Sequence, residues 1–215
     1  MERILAIGDI HGCYLKLVSL MKQLKINPKK DLLIFIGDYI DRGNQSKEVV
    51  DYLVDLKTQM PSTVFLLGNH EHMLLEYLRG ENINPFLYNG GQKTLDSYFE
   101  KGRFGPHQDP TMVFPTDHLR FFNSLVPYYE LNDYIFVHAG LKEGVPMEQQ
   151  DLSDLLWIRE EFYFSKFSFG KTIIFGHTPF PQPFIFNQKI GIDTGAAYGN
   201  KLTCVELPAM NFYSL

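Results

Sequence analysis

Asp9 and His11 stand two residues apart directly after an apolar run at positions 3–7. If the backbone stays extended there, their side chains face the same way and can grip one cation; a turn or helix cap is the other use of an Asp at a strand end. Asp38, Asn69, His138 and His177 each close a separate apolar run and add carboxylate, amide and imidazole donors. Mixed oxygen and nitrogen ligands suit Mn, Fe or Zn better than Ca. Two cations a few ångströms apart repel unless an anion bridges them, and a central carboxylate such as Asp38 can do so. Such a pair stabilises both the attacking and the leaving oxygen of an in-line displacement.

These donors need elements to carry them. Runs at 5–7, 32–36, 63–67, 134–137 and 172–175 are rich in Ile, Val, Leu and Phe and stop abruptly at glycine or a metal-capable side chain. Buried strands that end in functional loops read this way. Between them, Leu17, Leu20, Met21 and Leu24, and again Val49, Tyr52, Leu53 and Leu56, follow the spacing of one helix face. Alternating strand and helix predicts an α/β fold whose polar loops converge at the carboxyl ends of the strands. With no repeat or long linker, residues 1–215 are expected to form one domain, interrupted by a Gly- and Pro-dense surface loop at 102–115.

Composition narrows the partners. An apolar share of 45% and a charged share of 21% describe a folding chain. A net charge of −5 with mixed signs gives no basic stripe for DNA or RNA, so nucleic acid is not expected as a partner. No signal peptide and no membrane span is visible, so a soluble, cytoplasmic protein without a membrane partner is expected. Cys13 and Cys204 are expected to be reduced thiols.

The blocks Gly8-Asp9-Ile10-His11-Gly12, Gly37-Asp38-Tyr39-Ile40-Asp41-Arg42-Gly43, Gly68-Asn69-His70-Glu71 and His138-Ala139-Gly140 resemble the phosphoprotein phosphatases. The likeness continues, in order, through Asn89-Gly90-Gly91, Leu156-Trp157-Ile158-Arg159, Phe175-Gly176-His177-Thr178-Pro179 and Ile192-Asp193-Thr194-Gly195-Ala196. Length and the block from Asn89 to Leu95 are similar to the bacterial and phage branch, and Ala139 departs from the Gly usual in eukaryotic members. The resemblance implies a calcineurin-like metallophosphoesterase fold, with central β-sheets in a sandwich flanked by helices and a metal site at the carboxyl ends of the strands.

Carried over residue by residue, the resemblance implies that Asp9, His11 and Asp38 hold one divalent metal, and that Asp38, Asn69, His138 and His177 hold a second. Manganese is expected, with iron or zinc compatible, and a hydroxide on the metal pair would be the nucleophile. His70 would protonate the leaving alkoxide and Asp41 would orient it; a carboxylate beside an imidazole is expected to favour the imidazolium. Arg42 and Arg159 match the phosphate-binding arginines, whose planar forks suit two phosphate oxygens.

Plainer roles compete at several positions. Arg159 lies beside Glu160 and Glu161 in an expected helix, where a surface salt bridge is the ordinary use. His72, His107 and His118 match no ligand position and are read as surface or loop histidines. Glu71 either supports a ligand or starts a helix. Asp193 reads as a turn residue, the aromatic run 162–169 as core packing, and Cys13 as no ligand. The function expected is a serine/threonine protein phosphatase acting on phosphorylated proteins or peptides. A hydrolase of dinucleoside polyphosphates or other small phosphoesters is the alternative, and a non-catalytic scaffold the third; oligomeric state is not legible.

Overall fold

A period of two along the apolar runs sets the architecture of the computed structural model, which describes residues 3–99 and 114–215. In β1 (Arg3–Ile7) Ile4 and Ala6 enter one core while Leu5 and Ile7 enter another. In β2 (Asp31–Phe35) Leu32 and Ile34 part from Leu33 and Phe35 in the same way. Strands covered on both faces have no polar side to show, which is why these segments are continuous apolar runs.

After β1 the chain forms α1 (Tyr14–Leu24), β2, α2 (Ser46–Gln59), β3 (Val64–Phe65), α3 (Asn69–Leu78), α4 (Ile83–Phe86), α5 (Gln92–Tyr98) and α6 (Thr116–Asn123). It continues through β4 (Tyr128–Leu131), β5 (Tyr134–Val137), α7 (Leu152–Trp157), α8 (Glu160–Tyr163), β6 (Thr172–Phe175), β7 (Phe184–Phe186), β8 (Lys189–Gly191), β9 (Thr203–Leu207) and β10 (Asn211–Ser214). Two five-stranded mixed sheets result, in the orders β10-β9-β1-β2-β3 and β4-β5-β6-β8-β7. They pack face to face through Ile4, Ala6 and Ile34 on one side and Phe136, Ile174 and Ile190 on the other. Helices α1, α2, α3, α5 and α6 cover the outer face of the first sheet, and the α7–α8 segment covers that of the second. The expected sandwich flanked by helices is therefore the observed fold.

The pairing brings the carboxyl ends of β1, β2, β3, β5 and β6 to one end of the sandwich. Ile10 and His11 donate their N–H groups to Asp38 O, and Gly176 N donates to His138 O. His177 N donates to Asp9 Oδ2 at 3.0 Å and His138 Nδ1 to Ile36 O at 2.9 Å, so loops of the two sheets are stitched together where the candidate ligands lie.

Some expectations need correction. The run 63–67 is a paired strand only at Val64–Phe65; beyond it Leu66 bridges to Val126 and Leu67 N donates to Val126 O, so the chain stays extended but changes partner. Strands β4, β7, β8, β9 and β10 are too short or too polar for their pattern to stand out, although β9 pairs directly with β1. Tyr52 is only half-buried, against Tyr14. His118 is neither surface nor loop: it lies buried on α6, 2.8 Å from the Tyr98 hydroxyl and 2.9 Å from Asp51 Oδ1. His107, and the proposed loop at 102–115 up to residue 113, lie outside the described residues. Among the described residues no helix is long and apolar enough to cross a membrane.

Candidate metal-binding active site

The loop after β1 does not remain extended. His11 turns into the left-handed region at φ 46°, so Asp9 and His11 meet the site by a turn and not by strand alternation. Asp38 (φ 52°), Asp41 (φ 71°), Arg42 (φ 65°) and His177 (φ 63°) share this conformation, so five of the eleven positive-φ non-glycine residues described belong to the expected site. Backbone held in so sparsely populated a region persists only where surrounding bonds over-determine it. At Asp38, Glu71 supplies those bonds. Its fully buried carboxylate accepts from Asp38 N (2.9 Å) and Gly68 N (3.2 Å) on one oxygen, and from Tyr39 N (2.8 Å) and Ile40 N (3.2 Å) on the other. Glu71 therefore both opens α3 and supports the Asp38 loop. Gly68 must be glycine, since a Cβ there would collide with Asp38.

Each imidazole is oriented from behind. His11 Nδ1 donates to Ile40 O at 2.8 Å and His138 Nδ1 donates to Ile36 O at 2.9 Å, which turns both Nε2 atoms inward. His11 Nε2 lies 3.3 Å from Asp38 Oδ2, and His138 Nε2 lies 3.3 Å from Asp38 Oδ1. Asn69 Oδ1 sits 2.9 Å from both His138 Nε2 and His177 Nδ1. Atoms that carry lone pairs converge here, and only protons or a cation can sit between them. Donor atoms of His11, Asp38 and His70 lie within 4.8 Å of one another, as do those of Asp38, His138 and His177, so Asp38 is common to both groups. The first trio contains His70 where the sequence resemblance implies Asp9. Asp9 nonetheless belongs to the same site: it is buried, Oδ2 accepts from His177 N at 3.0 Å, and Oδ1 has no hydrogen-bond partner among the described residues. His70 Nε2 and His177 Nε2 are also buried without a hydrogen-bond partner among the described residues.

Charge follows this arrangement. Burial would raise the Asp38 carboxyl, but the His138, His70 and His11 rings around it hold it well below the usual range. Asp9 lacks such neighbours; burial, with Asp193 and Asp38 nearby, pushes it well above that range. Burial presses His138 down and Asp38 more than restores it, whereas burial pushes His177 down to about 2. Such a donor set is costly to keep without added positive charge, and it fits divalent cations.

His70 Nδ1 lies 2.6 Å from Asp41 Oδ2, both side chains being fully buried. Burial lowers His70 to about 4 and raises Asp41 to about 8, so desolvation acts against the charged form of both partners. Burial thus works against the imidazolium and the adjacent Asp41 carboxylate works for it. Thr94 and Ser46, which lie in sequence blocks that carry the resemblance but have no role assigned by it, surround Asp41: Thr94 Oγ1 is 2.5 Å from Asp41 Oδ1 and accepts from Asp41 N at 2.9 Å. Ser46 Oγ also accepts from Asp41 N, at 3.1 Å.

Arg42 reaches into the site, its Nη1 donating to His11 Nε2 at 2.5 Å and its guanidinium lying 5.4 Å from the centre of the exposed Tyr198 ring. Arg159 is not inside a helix. It stands exposed in the break between α7 and α8, donates to Thr178 Oγ1 at 3.3 Å, and forms no ion pair within 4 Å among the described residues. The break places it beside His177, against whose ring Trp157 also packs at 5.8 Å. Asp193 has its turn role, accepting from Gly195 N at 2.9 Å, while lying close enough to raise Asp9. The run 162–169 divides: Phe162 and Tyr163 are core, whereas Phe164 and Phe167 are 61% and 40% exposed. His72 sits half-buried on α3 near Glu76, and Cys13 and Cys204 are free thiols.

Comparison with known proteins finds the calcineurin-like phosphoesterase family matching residues 2–204. The chain is 31% identical to serine/threonine-protein phosphatase 2 of Salmonella typhimurium, over 94% of this chain and 91% of that one. It is 28% identical to the asymmetrical bis(5'-nucleosyl)-tetraphosphatase PrpE of Geobacillus sp. (strain WCH70), over 97% and 92%. Among solved structures, a cold-active protein tyrosine phosphatase shares the fold, with a TM-score of 0.75, 20% identity, and coverage of 100% of this chain and 76% of that one.

Proposed function

We propose, from the premise that this chain belongs to the calcineurin-like phosphoesterase family, that it hydrolyses phosphate monoesters, with phosphorylated Ser and Thr side chains of proteins or peptides as its substrates. Phosphoester hydrolysis at a dinuclear metal site is the family's chemistry. Asp9, His11 and Asp38 are assigned to one cation and Asp38, Asn69, His138 and His177 to the other, with Asp38 between them; the unpartnered Asp9 and His177 atoms support this. Manganese is the preferred ion, and iron or zinc suits the same donors. When bound, the cations supply Lewis acidity towards phosphoryl oxygens and lower the pKa of water.

The remaining steps belong to the chain's own residues. Arg42 and Arg159 bind non-bridging phosphate oxygens and offset charge developing on them. His70 delivers a proton from Nε2 to the leaving oxygen, and Asp41 holds the ring at Nδ1. A phosphate dianion beside Nε2 favours the imidazolium that burial otherwise disfavours.

The observation that carries this reading is the fully buried Asp41–His70 contact of 2.6 Å combined with a His70 Nε2 that has no hydrogen-bond partner among the described residues. A proton donor so fixed matters most for an alkoxide, the poorest of the candidate leaving groups. Dinucleoside tetraphosphate hydrolysis is the second reading, favoured by the exposed Trp157 and Tyr198 rings beside His177 and Arg42, on which a nucleobase can stack. Under matched Mn and pH, kcat/KM for a phosphothreonine or phosphoserine peptide is expected to exceed that for diadenosine tetraphosphate. The reverse ranking by about tenfold, roughly 1.4 kcal/mol of transition-state preference, would overturn the substrate assignment and leave the metal-site assignment standing.

A further inference from the structure

We infer that Thr94 is a positioning residue for the reaction, setting through Asp41 the direction in which His70 presents its Nε2. The inference rests on the monoesterase reading only for its consequence in turnover; the geometry stands apart from it. Asp41, His70, Ser46 and Thr94 are all fully buried, so no water competes for their hydrogen bonds. Asp41 has two carboxylate oxygens with two separate tasks. Oδ2 faces His70 Nδ1 at 2.6 Å, and Oδ1 receives the Thr94 hydroxyl at 2.5 Å.

Thr94 holds both ends of the same residue, because its oxygen also accepts from Asp41 N at 2.9 Å while Asp41 keeps a left-handed φ of 71°. Ser46 Oγ lies 3.1 Å from Thr94 Oγ1 and 3.1 Å from Asp41 N, closing the cluster. Without the Thr94 hydroxyl, Asp41 Oδ1 loses its donor and the carboxylate is free to rotate about its Cβ–Cγ bond, carrying Oδ2 off the His70 ring. Among the described residues nothing else reaches His70 Nδ1. The position of Thr94 is in turn fixed by α5 against α2, where Ser97 Oγ accepts from Lys47 N at 3.1 Å and its hydroxyl donates to Thr94 O at 2.7 Å.

Thr94→Val removes the hydroxyl at nearly constant volume, and Thr94→Ser restores it. In Thr94→Val, kcat on a phosphoserine peptide is expected to fall by roughly ten- to a hundredfold, the scale of an ångström-level misplacement. KM and bound metal should stay as in the wild type, and the loss on p-nitrophenyl phosphate should be smaller because its phenolate leaves without a proton. Thr94→Ser should return kcat to near the wild-type value. In metal-free, histidine-labelled protein, the downfield His70 Nδ1–H resonance should shift in Thr94→Val and remain in Thr94→Ser. If Thr94→Val does not fold, Thr94→Ala carries the same comparison.

An unmoved His70 resonance with unchanged kcat overturns the inference. Equal losses on both substrates, or loss of metal, also overturn it in favour of a packing role. A wild-type enzyme that turns over no monoester sinks the proposed function alone, and the resonance then still decides what Thr94 does.

Discussion

Asp38 faces three imidazoles of the candidate site: His11 and His138 at 3.3 Å from its two oxygens and His70 at 3.9 Å. No other side chain belongs to both groups of converging donors. An Asn at this position keeps the shape but removes the charge that offsets two cations and replaces one acceptor oxygen with a donor. Asp38→Asn is therefore expected to bind fewer than two equivalents of Mn and to lose most turnover, as metal analysis and steady-state kinetics on one sample will report. Two tightly held equivalents with undiminished turnover would remove Asp38 from its bridging role. His70 is positioned by a different logic, since one ring nitrogen is occupied by Asp41 while the other has no hydrogen-bond partner among the described residues.

Helix α3 shows how one element serves two purposes. Asn69, its first residue, is a candidate ligand, and Glu71 in its first turn collects four backbone N–H groups from Gly68 and the Asp38 loop. Burial raises Glu71 to about 8, with the Tyr39 N–H pulling against it. A Gln there presents one accepting oxygen and an NH2 group that faces N–H donors, so buried donors lose partners. Glu71→Gln is expected to cost about 1–3 kcal/mol in denaturant unfolding. It should also weaken metal binding, because Asp38 loses its backbone support. Wild-type stability together with wild-type metal affinity would mean that the loop holds its left-handed turns without Glu71.

At the scale of the whole molecule, Arg3 ties residues far apart in the chain, bonding Asp31 at 2.5 Å and Glu206 at 3.1 Å across β1, β2 and β9. The same sheet then carries the Asp9 and Asp38 loops at its opposite end. The hydrogen bond from Arg3 holds the Asp31 carboxyl below its usual value. A carboxylate whose folded-state pKa is depressed adds stability above its unfolded pKa, about 3.9, and loses it as pH falls through the folded value. Asp31→Asn is expected to be less stable than wild type by about 1–3 kcal/mol at neutral pH. The gap should hold down to about pH 5 and close below about pH 4, as paired denaturation curves across that range will show. A gap that persists undiminished at pH 3 would assign the effect to packing and not to charge.

Much of this protein is legible in its residues alone. Strands covered on both faces leave continuous apolar runs, and the runs through Ile7, Phe35 and Phe175 end where the site begins, so strand positions and the convergence of loops follow from pattern. The ordered blocks from Gly8 to Ala196 point to the family that residues 2–204 match. Tertiary structure decided the rest, because conformation and burial depend on neighbours distant in sequence. The left-handed turn at His11, the break that frees Arg159 from a helix, and the burial of His118 carry no local signature. Nor does the contact between Thr94 and Asp41, 53 residues apart, which exists only because α5 packs on α2. Protonation depends on the same context: an adjacent Asp and His suggest an ion pair, and enclosure by the fold acts against both charges, pushing His70 down and Asp41 up.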